Sequence, residues 1–340
     1  MASRIARLKN KKEFQRAGNG EPIEMLPVPG NTPMVPPKWL LEALAHGIAG
    51  GEFISCHGPT GSGKTATLEA LWQVPENWEA LCKGLGIPCK PLKMLPFEMM
   101  NAETPGEMYC RRAIRDGCTY DEDSGLVCAL READACRETH QPVIWAREMG
   151  RVHSASVQHG LLDLMTQGPI LLPGGDTILG KGIAWVADSN YNCDETAVYT
   201  TVTLDDGVAA RFTVNLPFDY PFDDDTLRIL YHLMDEGYLP PVPGDVVVQM
   251  VSLGEAIREE REQGNLSSVT PPTMRAYFAF LRMYSALPHL GARGVADVTL
   301  LGAASPADRA NLAGVCSTVF TLVDKESEEQ QKSELKEVGP

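Results

Sequence analysis

The sequence has no apolar run approaching the roughly 20 residues that a membrane-spanning helix needs. It has no Cys-x-x-Cys pair, and its nine cysteines are an odd number. With no secretory leader in view, they read as reduced thiols in a cytoplasmic protein, not as a disulfide framework. Cys82 and Cys89 lack His or Cys partners at zinc-finger spacing, and the seven histidines, His153 and His159 among them, form no ligand constellation. Positive charge is scarce: 30 Lys and Arg face 45 Asp and Glu, for a formal charge of -15. A general nucleic-acid binder needs a basic face, so this balance disfavours one. Arg4, Arg7, Lys9, Lys11, Lys12 and Arg16 cluster near the start and read as a solvated arm. No internal repeat is visible. What is present is an ordinary globular composition, 44% apolar over 340 residues, enough for two domains and a sizeable core.

The most informative stretch is Gly58-Pro59-Thr60-Gly61-Ser62-Gly63-Lys64-Thr65, a glycine and four residues followed by Gly-Lys-Thr. It fits the phosphate-binding P-loop pattern. Glu52 to His57 before it reads as a buried strand and Ala66 to Trp72 after it as a helix, which is the setting that the motif requires. The glycines let the backbone turn tightly, with its N–H groups aimed at phosphate oxygens. The helix start adds free N–H groups and partial positive charge up to Ala66. Lys64 can reach the β- and γ-phosphates, and the Thr65 hydroxyl can ligate Mg²⁺. ATP and Mg²⁺ are therefore the expected cofactors.

Along the chain, residues 1–36 are polar and then proline-rich, which predicts an extended arm. Lys38 to Gly47 has helical spacing. A second strand is expected around Cys89 to Leu95, then a less regular segment over 96–123 with a charged helical stretch from Arg111 to Arg115. Gly125 to Arg137 reads as a helix, Pro142 to Ala146 as a buried strand, and Ser154 to Met165 as a helix. Ile170 to Leu172 with Gly174-Gly175 suggests a small hairpin, Gly182 to Ala187 a buried strand, and Val214 to Leu216 the last strand. Strands alternating with helices predict a parallel sheet covered on both faces. After Asp223 the pattern changes to helices over Thr226–Glu236, Gly244–Arg261, Pro271–Ala286 and Ser305–Phe320. The expected organisation is an arm (1–36), an α/β nucleotide domain (37–222), a small helical lid (223–323) and a charged tail (324–340).

An ATPase also needs an acidic pair at a strand end, a polar residue on the neighbouring strand, and arginines for the γ-phosphate. Several segments supply candidates in order. Asp123-Ser124-Gly125-Leu126 precedes a helix. Val143-Ile144-Trp145-Ala146-Arg147-Glu148-Met149-Gly150-Arg151 is a hydrophobic run ending in charge. Ala187-Asp188-Ser189-Asn190, Asp205 to Phe212 around Arg211, Phe218-Asp219-Tyr220-Pro221 and Thr270 to Arg275 follow. In these motifs the chain resembles the AAA+ ATPases of the MoxR type, with CbbQ/NorQ proteins and the ATPase subunit of cobaltochelatase as relatives. The resemblance covers about residues 37–320 and implies a three-layer P-loop NTPase sheet followed by a helical lid. It implies that Glu148 activates water, that Asn190 is the sensor 1 residue, that Arg211 acts as an arginine finger and that Arg275 belongs to sensor 2. It further implies a hexameric ring that remodels or activates a client protein, often one with a von Willebrand factor A domain. Read singly, Asn190 could be a turn former, Arg211 a helix cap, and Arg151 and Arg275 solvated surface residues.

The main departure is Arg147, which stands where the family has its Mg²⁺-supporting Asp. A guanidinium there is expected to repel the metal. Two readings stay open. Hydrolysis is slow, with Asp188 or another nearby carboxylate partly replacing the lost Asp, or the chain is a hydrolysis-deficient subunit of a mixed ring.

Overall fold

The computed structural model describes residues 25–28, 32–99, 102–150, 155–190, 205–221, 223–266, 269, 271–302, 304–306 and 308–320. Residues 3–16, Arg151, His153, Thr270 and the charged tail, all singled out above, lie outside them. The described residues fall into two units, one running through Asp219 and the other beginning at Tyr220.

The first unit is built on helix α1 (Lys38–Gly50), strand β1 (Phe53–Gly58), helices α2 (Lys64–Gln73) and α3 (Pro75–Leu85), and strand β2 (Leu92–Glu98). A hairpin follows, β3 (Cys110–Arg115) and β4 (Cys118–Asp123), then α4 (Gly125–Cys136) and β5 (Gln141–Arg147). The short helix α5 (Ala155–Gln158), a second hairpin of β6 (Pro169–Leu171) and β7 (Thr177–Leu179), β8 (Ala184–Asn190), the one-turn α6 (Asp206–Ala209) and β9 (Val214–Pro217) complete it. Five strands form one sheet in the order β2-β5-β8-β1-β9, and every neighbouring pair is parallel.

Side chains alternate across this sheet, and each face buries its own core. Ile54, Cys56, Val143, Trp145, Ala184 and Val186 pack with Leu44 of α1, Leu68 and Leu71 of α2 and Trp78 of α3. Phe53, Ile144, Ala146, Trp185 and Ala187 pack on the other face with Leu126, Val127 and Leu130 of α4. The result is the three-layer α/β arrangement of a P-loop NTPase, with β1 flanked by β8 and β9. Before α1, Leu26 and Met34 form an antiparallel bridge, exchanging N–H···O bonds of 2.7 and 2.9 Å, and Leu26 and Val28 are buried in the α1–α3 core, so this part of the expected arm folds onto the domain.

Several expectations change. Arg111 to Arg115 is a strand, not a helix. It pairs with β4 around Asp116-Gly117, both in the left-handed region with φ 52° and 76°, the conformation a two-residue hairpin turn requires. The second sheet strand is Leu92–Glu98, later than expected, and the strand ending at Asn190 runs three residues beyond Ala187. Of the helix expected over Ser154–Met165, the described part keeps a single α-turn, Ala155–Gln158, followed by a 3-10 turn at His159–Leu161. Helix α3 was not anticipated.

The second unit contains α7 (Asp223–Asp235), α8 (Gly244–Glu262), α9 (Met274–Ala286) and α10 (Gly291–Thr299), with residues 308–320 helical as well. Thr273 caps α9, its hydroxyl accepting from the Ala276 N–H at 3.3 Å. Arg275 sits exposed in the first turn of that helix. Among the described residues no helix is long and apolar enough to cross a membrane.

Candidate nucleotide site

The loop from Gly58 to Gly63 leaves β1 at its C-terminal end and feeds directly into α2. Open parallel sheets bind ligands at that end. Gly58 cannot carry a side chain, because a Cβ there would lie 2.1 Å from the Phe218 carbonyl oxygen. Gly63, at φ 96°, turns the chain into the helix. Thr60 and Ser62 fill the turn, and the Ser62 N–H donates to the Pro59 carbonyl at 3.3 Å. The α2 start at Lys64, Thr65 and Ala66 therefore points its free N–H groups into the loop.

Lys64 arches back over this loop. Its ammonium donates to the Gly58 carbonyl at 2.9 Å, the Pro59 carbonyl at 2.8 Å and the Ser62 hydroxyl at 3.4 Å. Burial lowers its pKa to about 8, and the carboxylates of Asp188 and Glu148 oppose that shift. The ordinary lysine value is 10.5, so between the two values the unfolded chain holds this proton more tightly than the folded one. The contribution of Lys64 to stability therefore rises as pH climbs through that window. Phosphates favour the charged ammonium, so nucleotide binding above pH 8 should take up a proton. Affinity for the non-hydrolysable analogue AMP-PNP should be flat below pH 8 and weaken by about tenfold at pH 9. Calorimetry in buffers of different ionisation enthalpy reads both the affinity and the proton uptake.

Strand order explains the rest of the site. β8, not β5, lies beside the P-loop strand, and the register pairs Cys56 with Asp188 and Gly58 with Asn190. Asn190 thus sits next to the first glycine of the loop. Asp188 is 3% exposed. Its Oδ2 accepts from the Thr65 hydroxyl at 3.1 Å, and its Oδ1 accepts from the Glu148 N–H. The Asp188 carbonyl accepts from the Met149 N–H at 2.8 Å, so β8 grips the exit of β5 twice. Glu148 has φ 50°, a left-handed backbone that is uncommon outside glycine and recurs at functional sites. Burial pushes the neighbouring Cys56 thiol far up, with Asp188 adding to the shift, so Cys56 stays neutral and packs as an apolar residue.

Arg147 is occupied elsewhere. Its Nη1 pairs with Glu98 Oε1 at 3.0 Å, and its guanidinium carbon lies 5.1 Å from the centre of the Trp145 ring. Glu98 and Arg147 are register partners on β2 and β5. The side chain therefore leans toward the sheet edge opposite β8 and β1, and the repulsion expected from the sequence meets a neutralised charge. The sequence reading missed Glu98 because the pairing needs the β2–β5 register.

Arg211 follows α6, and its Nη1 donates to the Met165 carbonyl at 3.1 Å. Asp205 caps α6, its Oδ1 accepting from the Gly207 and Val208 N–H groups, and its Oδ2 pairs with His159 at 3.0 Å. That histidine bond, with the N–H bonds at the cap, holds the Asp205 carboxyl below its usual range. At the loop, the Thr65 hydroxyl and the Asp188 carboxylate it is bonded to are oxygen donors of the kind a hard cation takes, beside glycines that admit phosphate.

No protein-family model and no curated protein matches the chain. Among solved structures, a candidate ATPase from Cytophaga hutchinsonii aligns over 94% of this chain and 96% of its own, at 15% identity and a TM-score of 0.38. Two single-residue mutants of RuvB from Thermotoga maritima align over 74% of this chain, at 13% and 11% identity and a TM-score of 0.41 for each. These alignments span 62% and 61% of the RuvB chains.

Proposed function

We propose that the chain is an AAA+ ATPase of the MoxR type that binds and hydrolyses Mg²⁺·ATP. One observation carries the reading: a glycine loop capped by Lys64, whose Thr65 hydroxyl is bonded to a buried carboxylate that also holds Glu148. Backbone N–H groups of residues 58–66 and the Lys64 ammonium would hold the β- and γ-phosphates. Thr65 would ligate Mg²⁺, which when bound neutralises charge on those phosphates. Glu148 would take the proton from the attacking water, with Asn190 orienting that water from the adjacent strand. Arg275 of the second unit is assigned to the sensor 2 role. In this reading the protein works as a ring, expected to be a hexamer, that remodels a client protein, with a von Willebrand factor A domain as the candidate client feature.

Arg147 supports one competing reading, a subunit of a mixed ring that binds nucleotide without hydrolysing it. Its ion pair with Glu98 weakens that support. ATP turnover by the purified protein separates the two. Glu148→Gln should keep nucleotide affinity within about twofold and lower turnover by roughly 10²- to 10³-fold, the size of a lost general base. Turnover absent in the unaltered protein, alone and with its co-purified partners, would favour the binding-only subunit.

A further inference from the structure

We propose that Asp188, on the strand beside the P-loop, anchors the Mg²⁺ of a bound nucleotide through Thr65, and positions Glu148 with the same carboxylate. The proposal rests on the nucleotide reading of the site.

Position comes first. Alternation along β8 puts Asp188 on the face of Ala184 and Val186, which is the face that α2 covers. Its register partner is Cys56, two residues before the loop begins. The loop and the start of α2 therefore lie directly over the carboxylate.

Bonding is second. A buried carboxylate must have its oxygens satisfied, and both are used here. The Thr65 hydroxyl gives its proton to Oδ2, which leaves the lone pairs of the hydroxyl oxygen free for a cation. A carboxylate that accepts from a ligating hydroxyl also fixes its orientation and raises its basicity. The other oxygen accepts from the Glu148 N–H, at a residue whose left-handed backbone needs outside support. One side chain thus ties the metal-ligating hydroxyl to the water-activating carboxylate.

Exclusion is third. The end of β5 beside Glu148 carries Arg147, and Glu98 engages that guanidinium on the far side of the strand. The carboxylate bonded to Thr65 comes from β8 instead.

The test measures how much Mg²⁺ tightens AMP-PNP binding, a quantity independent of turnover. In the unaltered protein Mg²⁺ should tighten binding by about tenfold or more. Asp188→Asn, which keeps the shape, should bind metal-free AMP-PNP as before and lose most of that gain, leaving about twofold or less. Arg147→Gln should keep the full gain, and this arm stands even if the Asp188 variant fails to fold. The proposal is overturned if Asp188→Asn retains the gain, if Arg147→Gln changes it by about tenfold, or if the unaltered protein binds AMP-PNP with no Mg²⁺ dependence. Failure of the unaltered protein to bind AMP-PNP at all would remove the nucleotide reading too, and so is distinguishable from the other outcomes.

Discussion

Replacing Lys64 by alanine is expected to weaken ATP binding by roughly a hundredfold or more while the fold survives. The ammonium is the one charged group that the loop carries over its own carbonyls. Hydrogen bonds to charged groups contribute about 1.5–3 kcal/mol each, and Lys64 can make one to each of two phosphates. Losing both costs about 3 kcal/mol or more, which is two decades or more in Kd. The fold should tolerate the change because burial already disfavours the charge at this site, as its lowered pKa records. The Gly58 and Pro59 carbonyls lose a donor, and they lie at the end of the sheet that faces the loop opening, where water can replace it. The measurement is thermal unfolding with and without Mg²⁺·AMP-PNP. At a hundred times Kd, ligand stabilises the unaltered protein by about 2.7 kcal/mol, and the variant should show almost none of that shift. An equal shift in both proteins would refute the phosphate-cradle assignment.

What the sequence made legible follows the range of the interactions involved. The P-loop is local: strand, glycines, lysine and helix start lie within a few turns of chain, and residue type dictates each. Buried strands were found for the same reason, since Val143 to Ala146 and Ala184 to Ala187 are unbroken apolar runs. The β3–β4 hairpin was misread because Arg111, Arg112 and Arg115 suggested a helix surface, while the decisive signal was Asp116-Gly117. Its exposed strands place Arg111 opposite Glu122 and Arg112 opposite Asp121, a charge alternation visible only once the turn is recognised. Helix α3 has a proline start at Pro75 and buries Trp78, but its polar surface hid it between α2 and β2. The partners of Arg147 and Thr65 depend on strand order. No periodicity announces that β8 lies between β1 and β5, so Glu98 could not be found in advance, and Asp188 could be named as a substitute without its geometry.

The same strand order leads to the second large effect, the loss of turnover on removing Arg211. Thr213 donates its N–H to the Phe53 carbonyl at 2.9 Å, and Val214 is in register with Ile54. Arg211 therefore lies at the level where β1 begins, whereas the phosphate loop starts where β1 ends. At about 3.3 Å per residue, the five steps along β1 from Phe53 to Gly58 separate them by roughly 17 Å, beyond the reach of an arginine side chain. Arg211 cannot touch a nucleotide held by its own chain. If it acts on phosphate, it does so in a neighbouring subunit, across a head-to-tail contact of the kind that closes rings. An arginine supplied in this way is worth about 10³- to 10⁵-fold in turnover, and it leaves nucleotide affinity largely alone. Arg211→Ala and Glu148→Gln proteins should each be nearly inactive for different reasons. Mixed rings contain sites with Glu148 from one subunit and Arg211 from the next. Random assembly at equal ratio makes about a quarter of the sites complete, so turnover should recover toward that fraction in a head-to-tail ring. Turnover that stays at the level of the separate variants, in rings shown to be mixed, would place Arg211 outside the chemistry. Its bond to the Met165 carbonyl would then be structural, holding the end of α6 against the segment that follows the His159–Leu161 turn.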